Sequence, residues 1–119
     1  MRDHKKLRAF QLADELTLSV YSVTRLFPKD ELFGLTSQMR RAAVSVPSNI
    51  VEGCARESQN EYLRFLEIAF GSLRELHYQF GLSERLGYLD KCNDNLCGAM
   101  IIETEKVLSA LLRSMRNAV

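Results

Sequence analysis

Residues 58–87, SQNEYLRFLEIAFGSLRELHYQFGLSERLG, decide the fold of this chain. Ser58 and Glu61 have the spacing of a capping box, in which a hydroxyl and a carboxylate each bind a free backbone N–H. Apolar residues then recur every three or four positions, and Gly87 is typical of the position after a helix. We therefore predict one long helix from about residue 59 to 86. Its inward face comprises Tyr62, Leu66, Ala69, Phe70, Leu73, Leu76, His77 and Phe80.

A first helix is predicted upstream, from about Lys6 to Phe27. Pro28 ends it, because proline disfavours helical geometry in the residue before it. The inward stripe is Phe10, Ala13, Leu16, Val20, Val23 and Phe27. In the link that follows, we expect Leu32, Phe33 and Leu35 to tuck into the mouth of the bundle, and Gly34 to adopt a positive φ.

The second helix is predicted at about 37–52, with Thr36 or Ser37 as its N-cap, and it is expected to be the shortest. Pro47 lies inside it and removes one backbone hydrogen bond, which predicts a kink or a local break. Gly53 is predicted to follow the helix as its C′ residue.

The last helix is predicted from Asp90 or Asn93 to Arg116 and carries two apolar stripes. One contains Leu96, Met100, Thr104, Val107, Leu111 and Met115, and the other contains Ile101, Leu108 and Leu112. Two stripes indicate either a wide core seam or an outer face that another subunit buries.

Four helices with short links predict an all-α, antiparallel up-down-up-down four-helix bundle with a kinked second helix. The length of 119 residues suits a single domain over residues 1–119. The net charge of +1 provides no overall field that would select a polyanion, so nucleic-acid binding would need a local basic patch.

The composition also predicts a cytoplasmic protein. Cys54, Cys92 and Cys97 are odd in number and widely spaced, which fits buried thiols in a reducing compartment. No run of eighteen apolar residues suits a membrane span, and the N-terminus does not resemble a secretion signal.

Motifs that carry catalytic chemistry are missing from the sequence. Neither His4 nor His77 has a glutamate three residues before it, as the di-metal sites of helix bundles require. A nucleophile pair between Cys54 and His77 has no orienting partner at the sequence level. We therefore predict no catalytic, cofactor or metal site, no small-molecule substrate and no enzymatic activity.

The segment around Pro47 contains the most unusual residues. Arg40 and Arg41 lie near the positive end of a helix dipole, where cations are slightly unfavourable. Two interpretations are open: ion pairs with glutamates of the third helix, or contact with phosphate or a partner. The second would combine them with Arg56, Arg64 and Arg74 as a basic surface. Aromatic residues fall mostly at core-facing positions, so base-stacking platforms are not expected.

A polar cluster accompanies the predicted kink and consists of Ser45, Ser48, Asn49 and Glu52, flanked by Pro47 and Gly53. Its members either satisfy backbone groups that Pro47 leaves unpaired or form a small recognition patch.

These stretches resemble a known family. They include Phe27-Pro28, ELFGL at 31–35, QMRRAAVSVPSNIVEG at 38–53 and Arg56, followed by EYLRFL at 61–66, Ile68-Ala69, Gly71-Ser72, Glu75-Leu76 and GYL at 87–89. Together they resemble the bacterial four-helix-bundle family encoded in intervening sequences of 23S ribosomal RNA genes. The resemblance covers nearly the whole chain.

The resemblance implies a four-helix bundle that forms a ring-shaped homo-oligomer, with a pentamer favoured. It also implies similarity to accessory proteins of diversity-generating retroelements, which share the bundle and bind a reverse transcriptase and nucleic acid. The family offers no catalytic residues to transfer.

We therefore predict a non-enzymatic homo-oligomeric scaffold that binds RNA or a nucleic-acid-associated protein. The alternative is a protein-interaction module that makes no nucleic-acid contact and recruits a partner through a helical surface.

Overall fold

The computed structural model describes residues 2–90 and 95–118, and every regular element in that part is helical. The four α-helices are α1 (Arg8–Thr24), α2 (Leu35–Cys54), α3 (Gln59–Arg85) and α4 (Asn95–Asn117). Short 3₁₀ turns precede α1 at His4–Lys6 and α2 at Lys29–Glu31. The predicted all-α class is confirmed.

The helices form a square in which each packs against two neighbours. Within the described residues, α1 packs on α2 and α4, and α3 packs on the same two helices, whereas no Cα atoms of the diagonal pairs lie within 8 Å of each other. The chain directions alternate, as two contacts in each pair of consecutive helices show. Residues 17 and 24 of α1 meet residues 43 and 40 of α2. Residues 45 and 39 of α2 meet residues 72 and 83 of α3, and residues 74 and 67 of α3 meet residues 105 and 116 of α4. The predicted antiparallel four-helix bundle is therefore confirmed. Its α1/α2 face lies opposite its α3/α4 face.

The longest helix, α3, follows its sequence signals closely. The Ser58 hydroxyl accepts a hydrogen bond from the Glu61 N–H at 3.2 Å, as expected for the serine half of a capping box. Gly87 adopts a φ of 77°, a left-handed conformation that side chains resist. Helix α3 therefore begins and ends within one residue of the prediction.

The first helix is shorter than predicted, since it ends at Thr24 rather than Phe27. The Thr24 carbonyl accepts from the Phe27 N–H, which closes a tight turn after the helix. This turn buries Phe27 in the core and leaves Leu26 largely exposed. The last helical residue therefore lies four positions before Pro28, and the tight turn separates the helix from the proline.

The second helix begins earlier than predicted, because its first free amide is capped from outside the helix. The Glu31 carboxylate accepts from the Leu35 N–H at 3.1 Å, whereas Thr36 and Ser37 lie within the helix. Gly34 is the N-cap, with a φ of −114° instead of the expected positive value. With 20 residues against 17 in α1, α2 is also not the shortest helix.

The far end of α2 differs from the prediction as well. The helix continues unbroken through Pro47 to Cys54, so the local break that was one alternative is wrong. Gly53 is a buried helical residue rather than a C′ residue. A Cβ atom at this position would lie 2.9 Å from Cβ of Phe65, so glycine is needed for close approach of α2 and α3.

One continuous core joins the four helices, and it explains the two apolar stripes of α4. Ile101, Leu108 and Leu112 are fully buried, whereas Met100 and Val107 are half-buried and pack against that core. The two stripes thus form one wide core seam, except for Leu96, which was predicted in the first stripe and is 70% exposed. The predicted start of α4 at Asn93 lies outside the described residues, as does Cys92.

The link before α2 departs most from expectation. Leu35 is buried, but Leu32 is 51% exposed and Phe33 is 93% exposed. The turn at Lys29–Glu31 and the Glu31 cap fix the backbone so that these two side chains project outward. The prediction that both tuck into the bundle is wrong.

Candidate functional site

The five arginines singled out from the sequence do not form one basic surface. Arg40 lies on the α1/α2 face, where its Nε donates to the Thr24 hydroxyl at 2.9 Å. Its guanidinium also stacks on the Tyr21 ring, 4.7 Å from the centroid. Arg40 does not form the ion pair with a glutamate of the third helix that was one of the two open interpretations, because its guanidinium turns towards α1.

Two more of these arginines are neutralised by glutamates. Arg56 pairs with Glu52 at 3.0 Å along α2 and stacks on the Phe65 ring. Arg74 pairs with Glu105 of α4 at 2.8 Å and therefore belongs to the α3/α4 face. Ion pairing reduces the electrostatic potential that either arginine offers to a polyanion.

Arg41 and Arg64 remain without an ion pair within the described part of the chain. Both are exposed. Arg41 borders a cleft between α2 and α3 together with Glu75. Arg64 precedes Glu75 by eleven residues, about three helical turns, so the two share one stripe of α3. The free cations thus lie towards the α2/α3 face, and Arg56 lies at the end of the same face.

The polar cluster around Pro47 is only partly as predicted. The Asn49 amide donates to the carbonyl and hydroxyl oxygens of Ser45 at 2.8 and 2.9 Å. The Ser45 hydroxyl in turn lies 2.9 Å from that of Ser72 on α3. Glu52 is engaged by Arg56, and Ser48 is exposed. This cluster therefore links α2 to α3 through two serine hydroxyls.

The carbonyl group that lacks a helical hydrogen-bond donor because of Pro47 accepts a hydrogen bond from a residue outside the predicted cluster. A proline at position 47 leaves the Ala43 carbonyl without its usual amide partner. The Thr17 hydroxyl of α1 lies 3.1 Å from that oxygen and 2.8 Å from the carbonyl oxygen of Ala13. Sequence reasoning looked for the compensating group near Pro47 and missed one 30 residues upstream.

An apolar groove on the α1/α2 face was not predicted. It has a volume of about 620 Å³ and is lined by Tyr21, Leu32, Phe33, Thr36, Ser37, Arg40, Arg41, Val44 and Ser45. Leu18, which is 69% exposed, lies one helical turn from Tyr21. Most aromatic residues are buried or half-buried, as expected, but Phe33, Tyr21 and Tyr78 are exposed.

The opposite side of the bundle carries a second, smaller groove. It has a volume of about 300 Å³, and its lining between α3 and α4 includes Phe80, Gly81, Gly98, Ala99 and Ile102. A side chain added at Gly81 would meet no atom within 4 Å, so this part of the groove is open. Ile102 and the nearby Tyr78 are exposed.

The titratable residues considered for catalysis are held apart by the fold. Nδ1 of His77 lies 2.8 Å from Oε2 of Glu105, as expected of a hydrogen-bonded histidine. Cys54 lies in the last turn of α2, near Tyr62, and burial raises the pKa of its thiol. Gly53 packs on Phe65, and His77 is twelve residues, or about 18 Å, further along α3. The structure does not bring Cys54 and His77 together.

Two further properties concern the described residues only. No group of three or more His, Cys, Asp or Glu side chains there is placed to hold a metal ion. None of the helices is both long and apolar enough to cross a membrane.

Comparison with known proteins gives the chain a family. Residues 5–110 match the family model described as 23S rRNA-intervening sequence protein. A solved structure from Bacteroides thetaiotaomicron, described as a protein of unknown function from the S23 ribosomal protein family, has the same fold with a TM-score of 0.79. It is 20% identical, and the alignment covers 88% of this chain and 95% of that one. No curated protein matches the chain. This chain belongs to the 23S rRNA-intervening sequence protein family.

Proposed function

We propose that this chain is the non-enzymatic subunit of a homo-oligomeric scaffold that binds RNA. The observation that carries the assembly is a pair of dissimilar grooves on opposite faces of the bundle, one largely apolar and one lined by both apolar and polar residues. One is the α1/α2 groove with the projecting Phe33, and the other is the α3/α4 groove around Gly81. Surfaces that differ from each other support head-to-tail association, which closes into a ring when the rotation between subunits permits.

Phe33 is the best candidate for the residue that joins neighbouring copies. It is 93% exposed, which is unusual for a phenylalanine unless a partner covers it. The α3/α4 groove of about 300 Å³ has room for a phenyl ring above Gly81. Insertion of Phe33 into this groove of the next copy would bury apolar surface on both. The family resemblance favours five copies in the ring.

Size-exclusion chromatography with light scattering tests this assembly. The wild-type protein is expected to run as an oligomer, and Phe33→Ser is expected to run near the 13.6 kDa of one chain. Ile68→Ser is the control, since Ile68 is exposed but lines neither groove. A wild-type monomer at micromolar concentration would contradict the proposal.

RNA binding is proposed for the α2/α3 face, which lies beside the ring contact; Arg41 is at its edge, because this residue also lines the α1/α2 groove. Arg41 and Arg64 lie on it without an ion pair among the described residues, and a ring would repeat both in every subunit. The modest charge of one chain would then add up to a larger positive patch. Such binding depends on phosphate neutralisation, so it weakens steeply between about 50 and 200 mM salt.

Fluorescence anisotropy with a labelled structured RNA, measured across this salt range, tests the second part of the proposal. The double variant Arg41→Gln/Arg64→Gln is expected to bind more weakly and with a shallower salt dependence. Arg113→Gln on α4 is a matched control, because Arg113 is also exposed. Binding that ignores salt, or no binding at low salt, would refute the RNA proposal and leave the assembly untouched.

The α1/α2 groove also supports a second function, a protein-interaction module without nucleic-acid contact. An open apolar groove of about 620 Å³ suits the apolar face of a partner's helix. Recovery of one protein from nuclease-treated lysate by the wild type and not by Phe33→Ser, together with a monomeric wild type, would favour this module over the ring.

A further inference from the structure

The α2/α3 face contains a polar cleft that shares only Arg41 and Ser45 with the site predicted from the sequence. It has a volume of about 480 Å³ and is lined by Gln38, Arg41, Ala42, Ser45, Ser72, Glu75 and Gln79. Six of these seven side chains are polar, whereas small-molecule pockets are usually mostly apolar. No aromatic ring lines the cleft, so it offers no stacking surface to a nucleobase.

Gln79 is the clearest sign that this cleft is incomplete without a ligand. Its side chain is only 6% exposed, yet its Oε1 has no hydrogen-bond partner. Buried amide groups are nearly always paired, and an unpaired one is destabilising. The oxygen and nitrogen of the amide can be exchanged by a flip, which would place the oxygen where the nitrogen now lies. In its present orientation the oxygen is closed off from the cleft, and after the flip a ligand N–H donor would satisfy it.

Two opposite charges border the same cleft without neutralising each other. Arg41 of α2 and Glu75 of α3 both line it, but within the described residues neither forms an ion pair within 4.0 Å. The ligand that complements both is one with a negative and a positive group close together. Its anionic group would bind the guanidinium, and its cationic group would bind the carboxylate.

The serine pair adds a hydrogen-bond donor to this arrangement. Asn49 donates to Ser45, and the hydroxyls of Ser45 and Ser72 lie 2.9 Å apart. When Ser45 donates to Ser72, the proton of Ser72 is left for an acceptor in the cleft. This acceptor would be a second carboxylate oxygen or a polar side chain of the ligand.

We propose that the cleft binds a small zwitterion of the α-amino-acid class, with its carboxylate on Arg41, its ammonium group on Glu75 and a polar side chain against Gln79 and Ser72. This site requires neither self-association nor RNA, because all of its residues come from α2 and α3 of one chain.

Amide chemical-shift perturbation of the full chain, with each common amino acid added at millimolar concentration, tests the proposal. At least one amino acid with a polar side chain is expected to shift the resonances of the cleft residues in a saturable manner. Its N-acetyl and C-amide derivatives, which each lack one charge, are expected to bind at least tenfold more weakly.

Variants show whether binding uses the cleft. Arg41→Gln and Glu75→Gln are each expected to weaken binding at least tenfold, whereas Arg64→Gln retains it. Gln79→Leu is expected to lose binding while unfolding at the wild-type temperature or above, since it removes the orphaned atom. No perturbation by any amino acid would overturn the proposal. So would equal binding of the N-acetyl derivative or of inorganic phosphate, which would indicate a simple anion site.

Discussion

The hydroxyl of Thr17 on α1 lies 3.1 Å from the carbonyl oxygen of Ala43 on α2, the oxygen that Pro47 leaves without an amide donor. The single hydroxyl proton is shared between this oxygen and the carbonyl oxygen of Ala13, 2.8 Å away, and α2 continues unbroken through the proline. The donor comes from a neighbouring helix, so the proline is tolerated only where α1 packs beside it. Helix α2 and its packing on α1 therefore depend on each other.

Removing the Thr17 hydroxyl is expected to destabilise the fold through Ala43. Thr17→Val leaves this half-buried carbonyl short of a donor, at a cost of about 1 to 2 kcal/mol in the free energy of unfolding. In a Pro47→Ala background, the new backbone N–H restores the helical hydrogen bond. The cost of Thr17→Val should then fall by about 1 kcal/mol, as measured by a double-mutant cycle in urea. Equal costs in both backgrounds would show that Thr17 does not compensate for the proline.

Two helical glycines are expected to respond in opposite directions to the same substitution. Gly53→Ala places a Cβ 2.9 Å from Cβ of Phe65, so it should destabilise by about 1 to 3 kcal/mol. Gly71→Ala meets no atom within 4 Å and should stabilise by up to about 1 kcal/mol, because alanine favours the helix. Chemical denaturation of both variants provides the comparison. A stabilised Gly53→Ala would mean that α2 and α3 do not need this close approach.

The Glu31 cap predicts a stability that depends on pH. The Leu35 N–H and then the Tyr88 hydroxyl donate to its carboxylate, which lowers the pKa of Glu31 from 4.5 in the folded state. A lowered folded-state pKa means that the stabilisation is present above the unfolded-state value and is lost as the pH falls through the folded-state value.

Thermal unfolding from neutral pH to about pH 3 tests this cap. Glu31→Gln is expected to melt below the wild type at pH 7, and the difference should shrink towards acid pH. Asp14→Asn on the exposed side of α1 serves as the control. A gap between wild type and Glu31→Gln that persists unchanged at low pH would contradict a charge-dependent cap.

The ion pairs of Glu105 and of Glu67, which all join α3 to α4, should differ in their contribution to stability. Glu105 receives both Arg74 and His77, and its side chain is 12% exposed, whereas the Arg116–Glu67 pair has about half of each side chain in solvent. Glu105→Gln is therefore expected to cost about 1 to 2 kcal/mol, and Glu67→Gln less than about 0.5 kcal/mol. Urea denaturation gives both values, and a larger loss for Glu67→Gln would reverse this ranking.

Helix number, order and approximate length follow from the sequence because they depend on local patterns. The three- and four-residue spacing of Leu66, Ala69 and Leu73 predicts α3 without reference to any other helix, and so does the Ser58 cap. The ends of α1 and α2 were less predictable. Helix α1 ends at Thr24 because a tight turn follows it. Helix α2 begins at Leu35 because a glutamate outside the helix caps its first amide.

The candidate site depends far more on tertiary structure. From the sequence, Arg40, Arg41, Arg56, Arg64 and Arg74 form one group, but their positions around the helices divide them among three faces of the bundle. Their partners come from other elements or lie one turn away, and no spacing rule predicts which glutamate or hydroxyl each will meet. The exposure of Phe33 likewise follows from the direction in which a short turn leaves the core.

The sequence by itself determined an all-helical bundle with a proline inside its second helix, since helix propensity, periodicity and capping act over a few neighbouring residues. Only the tertiary structure decided that Thr17 supplies the missing donor, that Phe33 faces solvent and that Gln79 lies unpaired beside Arg41 and Glu75. Those relationships join residues that are far apart in the chain, and they arise when apolar stripes from four helices pack into one core and fix which polar groups meet.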